Sequence, residues 1–175
     1  ASLAPVQMIL QEQPENSAIL HFSYQLYLKL GAQADALNAI EQAIRFDPEN
    51  TKHRLAQIDL LIDMKQLTRA LEVIDEALAD LGSLYELDVR KLKQLVAHGD
   101  LSASADQAIF MLGEAYDLSD EAQLMLRLVD SLQTEAMWPQ ADALLQGAVA
   151  IYEADDQTKF LQAASAAHAG DLTLA

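Results

Sequence analysis

The chain has 175 residues, 51% of them apolar and only 6% aromatic, with six Gly, four Pro and no Cys. That composition suits a folded all-α protein. It leaves too few turn-formers for a β-sandwich or barrel, and without thiols there is no disulfide framework, cysteine nucleophile or thiolate zinc site. Eleven Lys and Arg against 27 Asp and Glu give a net charge of −16, which argues against nucleic acid and anionic membrane as partners, since clustered cations bind both.

The acidity rises along the chain: residues 1–83 carry 6 basic and 12 acidic side chains, residues 84–175 carry 5 and 15. No run of 18 apolar residues exists, and the N-terminus lacks the basic start and apolar stretch of a signal peptide, so this segment is expected to be soluble, without membrane insertion.

In chain order, residues 3–12 read as a helix, and then Pro14, Glu15 and Asn16 introduce a second one at residues 17–30. Gly31 ends it, being the residue that most easily takes the left-handed conformation. A third helix, residues 34–46, carries Ala36, Ala39 and Ala43 on one side and stops at Pro48. Pro48, Glu49 and Asn50 then repeat the earlier tripeptide at an offset of 34 residues. The register persists: Ala36, Leu37, Ile40 and Ala43 return as Ala70, Leu71, Ile74 and Ala77. The next helix pair falls at 51–64 and 68–81, with Gly82 where Pro48 stood. A third pair begins at 85–98 and ends its first helix at Gly99, but its small residues, Ala108 and Ala115, are displaced, which implies an enlarged turn at 100–104. The fourth pair opens at 122–135 and continues after Trp138 and Pro139, where Pro suits the first helical turn, with Ala141 and Ala148 as its small pair. A last helix, 156–169, ends at Gly170.

A 34-residue helix–turn–helix period of this kind resembles the tetratricopeptide repeat. The best copy is residues 17–50, where Tyr27, Gly31, Ala36, Ala43, Pro48 and Asn50 fall at the family's aromatic, turn, small and closing positions. Leu20 replaces its usual early Trp, and Lys65 replaces the turn Gly in the second copy. The resemblance implies an all-α, right-handed α-solenoid of antiparallel helix pairs. It would be a single array of about four repeats (17–50, 51–84, 85–120, 121–155) between partial units 1–16 and 156–175. Beginning and stopping in mid-repeat, it reads as an excerpt of a longer protein.

No chemistry-bearing motif accompanies the repeats. The glycines never reach a GxGxxG or P-loop spacing. His21, His53, His98 and His168 lie in different repeats, without metal-ligand spacing, and read as solvated or groove-lining. Of the acidic pairs Asp75/Glu76, Asp120/Glu121 and Asp155/Asp156, the last two sit at repeat junctions and read as helix caps. Trp138 reads as a packing anchor at a helix entry. No catalytic residue, metal or cofactor is expected.

What remains is a surface. In the family this chain resembles, first helices line a concave face that binds partners. By register that face holds His21, Gln25, Lys29, Leu55, Asp59, Ile62, Asp63, Val89, Lys93, Val96, Leu126, Asp130 and Gln133. The mixture suits a peptide or helix of a partner protein, a basic one included. The resemblance thus implies a non-enzymatic interaction scaffold. Ala-, Leu- and Gln-rich, Lys-poor composition points to a bacterial source, and such modules serve envelope assembly or secretion. The alternative reading is an acidic groove recognising a cationic polysaccharide during export. The compartment stays open between periplasm and cytoplasm, the periplasm slightly favoured.

Overall fold

The computed structural model describes residues 8, 11–114, 116–151 and 156–170, and among them only helices, turns and irregular connections occur. The chain divides into two compact units, Ala1–Leu87 and Asp88–Ala175.

In the first unit, Met8, Gln11 and Glu12 are helical and four helices follow: α1 (Ser17–Lys29), α2 (Gln33–Phe46), α3 (Thr51–Asp63) and α4 (Leu67–Leu81). The repeated Pro-Glu-Asn tripeptide has a physical explanation here. Pro blocks helix continuation, and its Asn starts the next helix as an N-cap. Asn16 Oδ1 accepts from the amides of Ala18 (3.1 Å) and Ile19 (3.2 Å). Asn50 Oδ1 accepts from Lys52 (3.2 Å), while its amide donates to Asp47 Oδ2 at 2.8 Å.

The core of this unit alternates small and branched residues. Ala36, Ala43, Ala70 and Ala77 are fully buried, and without bulk at these positions α1 packs closely on α2, and α3 on α4. Ile40, Ile58, Leu60, Leu61, Ile74 and Leu87 fill the remaining volume. Each such burial is worth about 1.5–3 kcal/mol against the unfolded chain.

The second unit contains most of α5 (Tyr85–His98), then α6 (Leu101–Gly113), a 3₁₀ turn at Ser119–Glu121, α7 (Ala122–Thr134), α8 (Trp138–Ile151) and α9 (Asp156–His168). Its core holds Leu92, Met111, Leu118, Met125, Leu132 and Leu144, with Ala105, Ala108, Ala141 and Ala148 fully buried between helices.

The turns within each helix pair keep a common register. Residues 31, 65, 99 and 136 are all left-handed, with φ of 73°, 61°, 83° and 59°. Each is followed by an amide that reaches back five residues, Ala32 to Tyr27, Gln66 to Leu61, Asp100 to Leu95 and Met137 to Leu132, at 2.8–3.2 Å. This is the Schellman helix ending, and Lys65 and Ala136 adopt it without the help of glycine.

One sequence expectation is corrected by this register. The enlarged turn is not at 100–104, because α6 starts at Leu101, capped by Asp100 Oδ1 on the Ala103 amide at 3.0 Å. The three extra residues between positions 99 and 136 lie instead between α6 and α7. There Asp117 Oδ1 accepts from both the amide (3.1 Å) and the hydroxyl (2.6 Å) of Ser119 and opens the 3₁₀ turn. These donors hold the Asp117 carboxyl below its ordinary range. Of the small pair expected in the third repeat, Ala108 is fully buried and Ala115 lies outside the described residues. Ser104 and Met111, both fully buried, occupy the positions equivalent to Ala36 and Ala43.

Candidate partner-binding face

In the first unit the first helices α1 and α3 are joined by side chains. Tyr24 donates its hydroxyl to the Ala56 carbonyl at 3.3 Å. His21 and His53 meet through their Nδ1 atoms at 3.0 Å, with ring centroids 5.0 Å apart. Both contacts span 32 residues, two short of the sequence period, so they run diagonally between neighbouring helices. Gln25 and Lys29 are exposed on α1; Asp59 and Asp63 are exposed on α3, with Leu55 and Ile62 half-buried beside them. The two carboxylates act on α1 across the helix pair: burial pushes the Tyr24 phenol above its ordinary value, and Asp59 and then Asp63 push it further.

The histidine pair is the departure from expectation. His53 is 5% exposed and His21 half-buried, so neither is a freely solvated side chain. Gln25 Nε2 lies 3.3 Å from His21 Nε2, and Asp47 Oδ2 lies 3.8 Å from His53 Nε2. One neutral arrangement satisfies the contacts in sequence. The Gln25 amide donates to His21 Nε2, and His21 Nδ1–H donates to His53 Nδ1. The remaining His53 proton then sits on Nε2 and faces Asp47.

In the second unit the candidate residues divide differently. Val89 and Leu126 are buried in the core. Gln133 is buried as well, and its Nε2 donates across α7–α9 to the Leu161 carbonyl (3.1 Å) and Ser165 Oγ (2.9 Å). Lys93 is half-exposed and its Nζ donates to Glu121 Oε1 at 3.0 Å. Val96 is half-buried and Asp130 exposed. The structure therefore leaves Lys93 and Asp130 facing solvent, and turns Val89, Leu126 and Gln133 inward to packing.

Other polar residues also serve the fold. Asp120 and Glu121 do not cap α7: Glu121 makes no side-chain cap bond and is buried at 3% exposure against Lys93. Asp155 lies outside the described residues, and Asp156 pairs with Lys159 at 3.4 Å within α9. Asp75 and Glu76 are exposed on α4, and His98 is exposed at the end of α5. Asp88 is buried, accepting from Gln107 Nε2 (3.0 Å) and the Tyr116 hydroxyl (2.8 Å). No group of three or more His, Cys, Asp or Glu is placed to hold a metal among the described residues. No helix there is long and apolar enough to cross a membrane.

Known structures share this architecture although sequence comparison is silent: no family model and no curated protein matches the chain. YrrB, described as a TPR protein with an unusual peptide-binding site, is similar with a TM-score of 0.65 over 97% of this chain and 86% of that one, at 11% identity. The chain has the tetratricopeptide-repeat fold. Two further structures agree. Pseudomonas aeruginosa PilF matches with a TM-score of 0.57 over 98% of this chain and 77% of that one, at 14% identity. PilW, a widely conserved type IV pilus biogenesis factor, matches at 0.55 over 98% and 78%, at 15% identity. Likeness at these identities is one of fold. The tetratricopeptide-repeat assignment accounts for the all-α helix-pair build, the 34-residue register and the left-handed turns.

Proposed function

We propose that the chain is a non-enzymatic interaction scaffold that holds a peptide or helix of a partner protein against its first helices. The observation carrying this reading is the strip on α1 and α3, where the exposed Gln25, Lys29, Asp59 and Asp63 flank the half-buried Leu55 and Ile62. Apolar positions interleaved with charges supply both contact area and register for a linear partner. The acidic pair favours a partner with basic side chains. Lys93 and Asp130 supply the corresponding polar positions in the second unit. The peptide-binding site attributed to YrrB, which shares the fold, is consistent with this use of the scaffold.

The test compares Asp59→Asn/Asp63→Asn with a control neutralising Glu72, Asp75 and Glu76 on α4. Titration with a Lys-containing amphipathic peptide at two salt concentrations should show the first variant binding more weakly, by up to roughly tenfold for two exposed charges. Wild-type binding should weaken with salt, since exposed charges are screened within about 8 Å at physiological ionic strength. Equal losses in both variants would reject the site. Preferential binding of a chitosan oligomer over the peptide would replace the protein partner with a cationic polysaccharide.

A further inference from the structure

We propose that His21 and His53 form an acid-opened latch between α1 and α3: the neutral imidazoles share one proton and hold the helices together, and charging both drives them apart. This goes beyond the partner-binding reading and does not depend on it.

The geometry carries the inference. Two Nδ1 atoms at 3.0 Å can form a hydrogen bond only if one bears a proton and the other a lone pair. With Gln25 against His21 Nε2, every ring nitrogen except His53 Nε2 is already engaged. That nitrogen is sealed from solvent without a hydrogen-bond partner, 3.8 Å from Asp47 Oδ2. A first added proton can enter at His21 Nε2 if the Gln25 amide turns over. A second has no place except His53 Nδ1, where it puts two N–H groups and two positive charges against each other. The contact joins residues 32 apart in the first helices of adjacent repeats, so breaking it loosens the seam between repeats rather than one helix.

The surrounding charges set the direction. Lys52, next to His53 on α3, opposes protonation of His21, and Asp47, in the turn before α3, favours protonation of His53. On α1, Tyr24 contributes a neutral ring 5.4 Å from that of His21. Burial is the largest influence on both imidazoles and lowers each from 6.5; for His53 the neighbouring His21 lowers it further, against Asp47. Unfolded histidines therefore take up protons at higher pH than the folded pair does. The stability lent by the latch is complete above about 6.5 and is lost as the pH falls through the folded values.

The experiment follows the four histidines by NMR while amide hydrogen exchange is measured across α1 and α3 in the intact chain, corrected for intrinsic exchange. His21 and His53 should titrate in coupled steps below the ordinary histidine value of about 6.5, and exchange in α1 and α3 should accelerate over the same interval. The acceleration should be roughly tenfold for each unit by which a folded value lies below the unfolded one. In His21→Gln/His53→Gln the acceleration should vanish. Independent titration of both residues at the ordinary histidine value of about 6.5 would overturn the latch, as would equal acid acceleration in the double variant. Should the double variant fail to fold, the wild-type titration decides alone: coupled steps support the latch, and uncoupled ones reject it.

Discussion

Trp138 and His168 stack face to face, ring centroids 4.1 Å apart and planes 8° from parallel, joining the start of α8 to the end of α9. This gives the only tryptophan of the chain a specific partner, where the sequence suggested only a packing anchor. A double-mutant cycle with Trp138→Leu and His168→Leu, read by urea unfolding, should return a coupling of about 0.5–1.5 kcal/mol, the range for stacked rings. Additive losses would show that the rings are merely adjacent.

The helix ends around Gly31 and Pro48 were legible in the sequence because they depend on local chemistry. Pro48 stops a helix, Asn50 caps the next, and Gly31 takes a positive φ, wherever the chain lies in space. The recognition face was legible only in part. Asp59 and Asp63 fall outward as their register requires, but the same reasoning gave no warning that Val89 and Leu126 are buried or that Gln133 is used across α7–α9. The 34-residue period places His21 beside residue 55, whereas the structure pairs it with His53. The facing sides of two neighbouring first helices carry different positions of the repeat, so a contact between repeats does not join equivalent residues, and a linear repeat does not encode that shift. The small positions of the third repeat were harder to read, because the buried Ser104 and Met111 do not look like a repeat of Ala36 and Ala43.

Gln133 should prove structural when tested. Its buried amide ties α7 to α9 through two acceptors, so Gln133→Ala is expected to lower stability by about 1–3 kcal/mol, the cost of leaving buried groups unsatisfied. Hydrogen exchange should rise most in α9. A variant with unchanged stability and weakened peptide binding would place Gln133 at the partner surface instead.

Lys93 requires the same separation of roles. Its ammonium satisfies a carboxylate that is 97% buried, taking the 3% exposure of Glu121, whereas a wholly exposed ion pair contributes about 0–1 kcal/mol. Lys93→Met should therefore destabilise by more than about 1 kcal/mol, because a buried charge loses one of its partners. Lys93→Met combined with Glu121→Gln should recover part of the loss, since the amide keeps hydrogen-bonding capacity without the charge. Loss of peptide binding in the single variant but not in the double one would trace to folding; loss in both would trace to the lysine itself. Denaturation followed through Trp138 fluorescence provides the stability half of the comparison.

The left-handed turns make opposite demands at glycines that look alike in sequence. Gly31 has φ +73°, and a Cβ there meets no atom within 4 Å, so any penalty for Gly31→Ala is conformational rather than steric against neighbours. Gly113 ends α6 without a positive φ and has equally open surroundings. Gly31→Ala should cost about 1–2 kcal/mol, the penalty of the left-handed region for an L-residue, while Gly113→Ala should gain about 0.4–1 kcal/mol by restricting the unfolded chain. Lys65, already at φ 61°, supplies the reciprocal test. Lys65→Gly removes the strain but frees the unfolded backbone by about 0.5–1 kcal/mol, so the net change should lie between about zero and a gain of about 1.5 kcal/mol. Circular dichroism during urea unfolding measures all three variants. If Gly31→Ala and Gly113→Ala shift stability equally and in the same direction, the conserved hand of the turns is not what fixes each helix pair. Opposite signs, with Lys65→Gly neutral or stabilising, locate that control in backbone conformation.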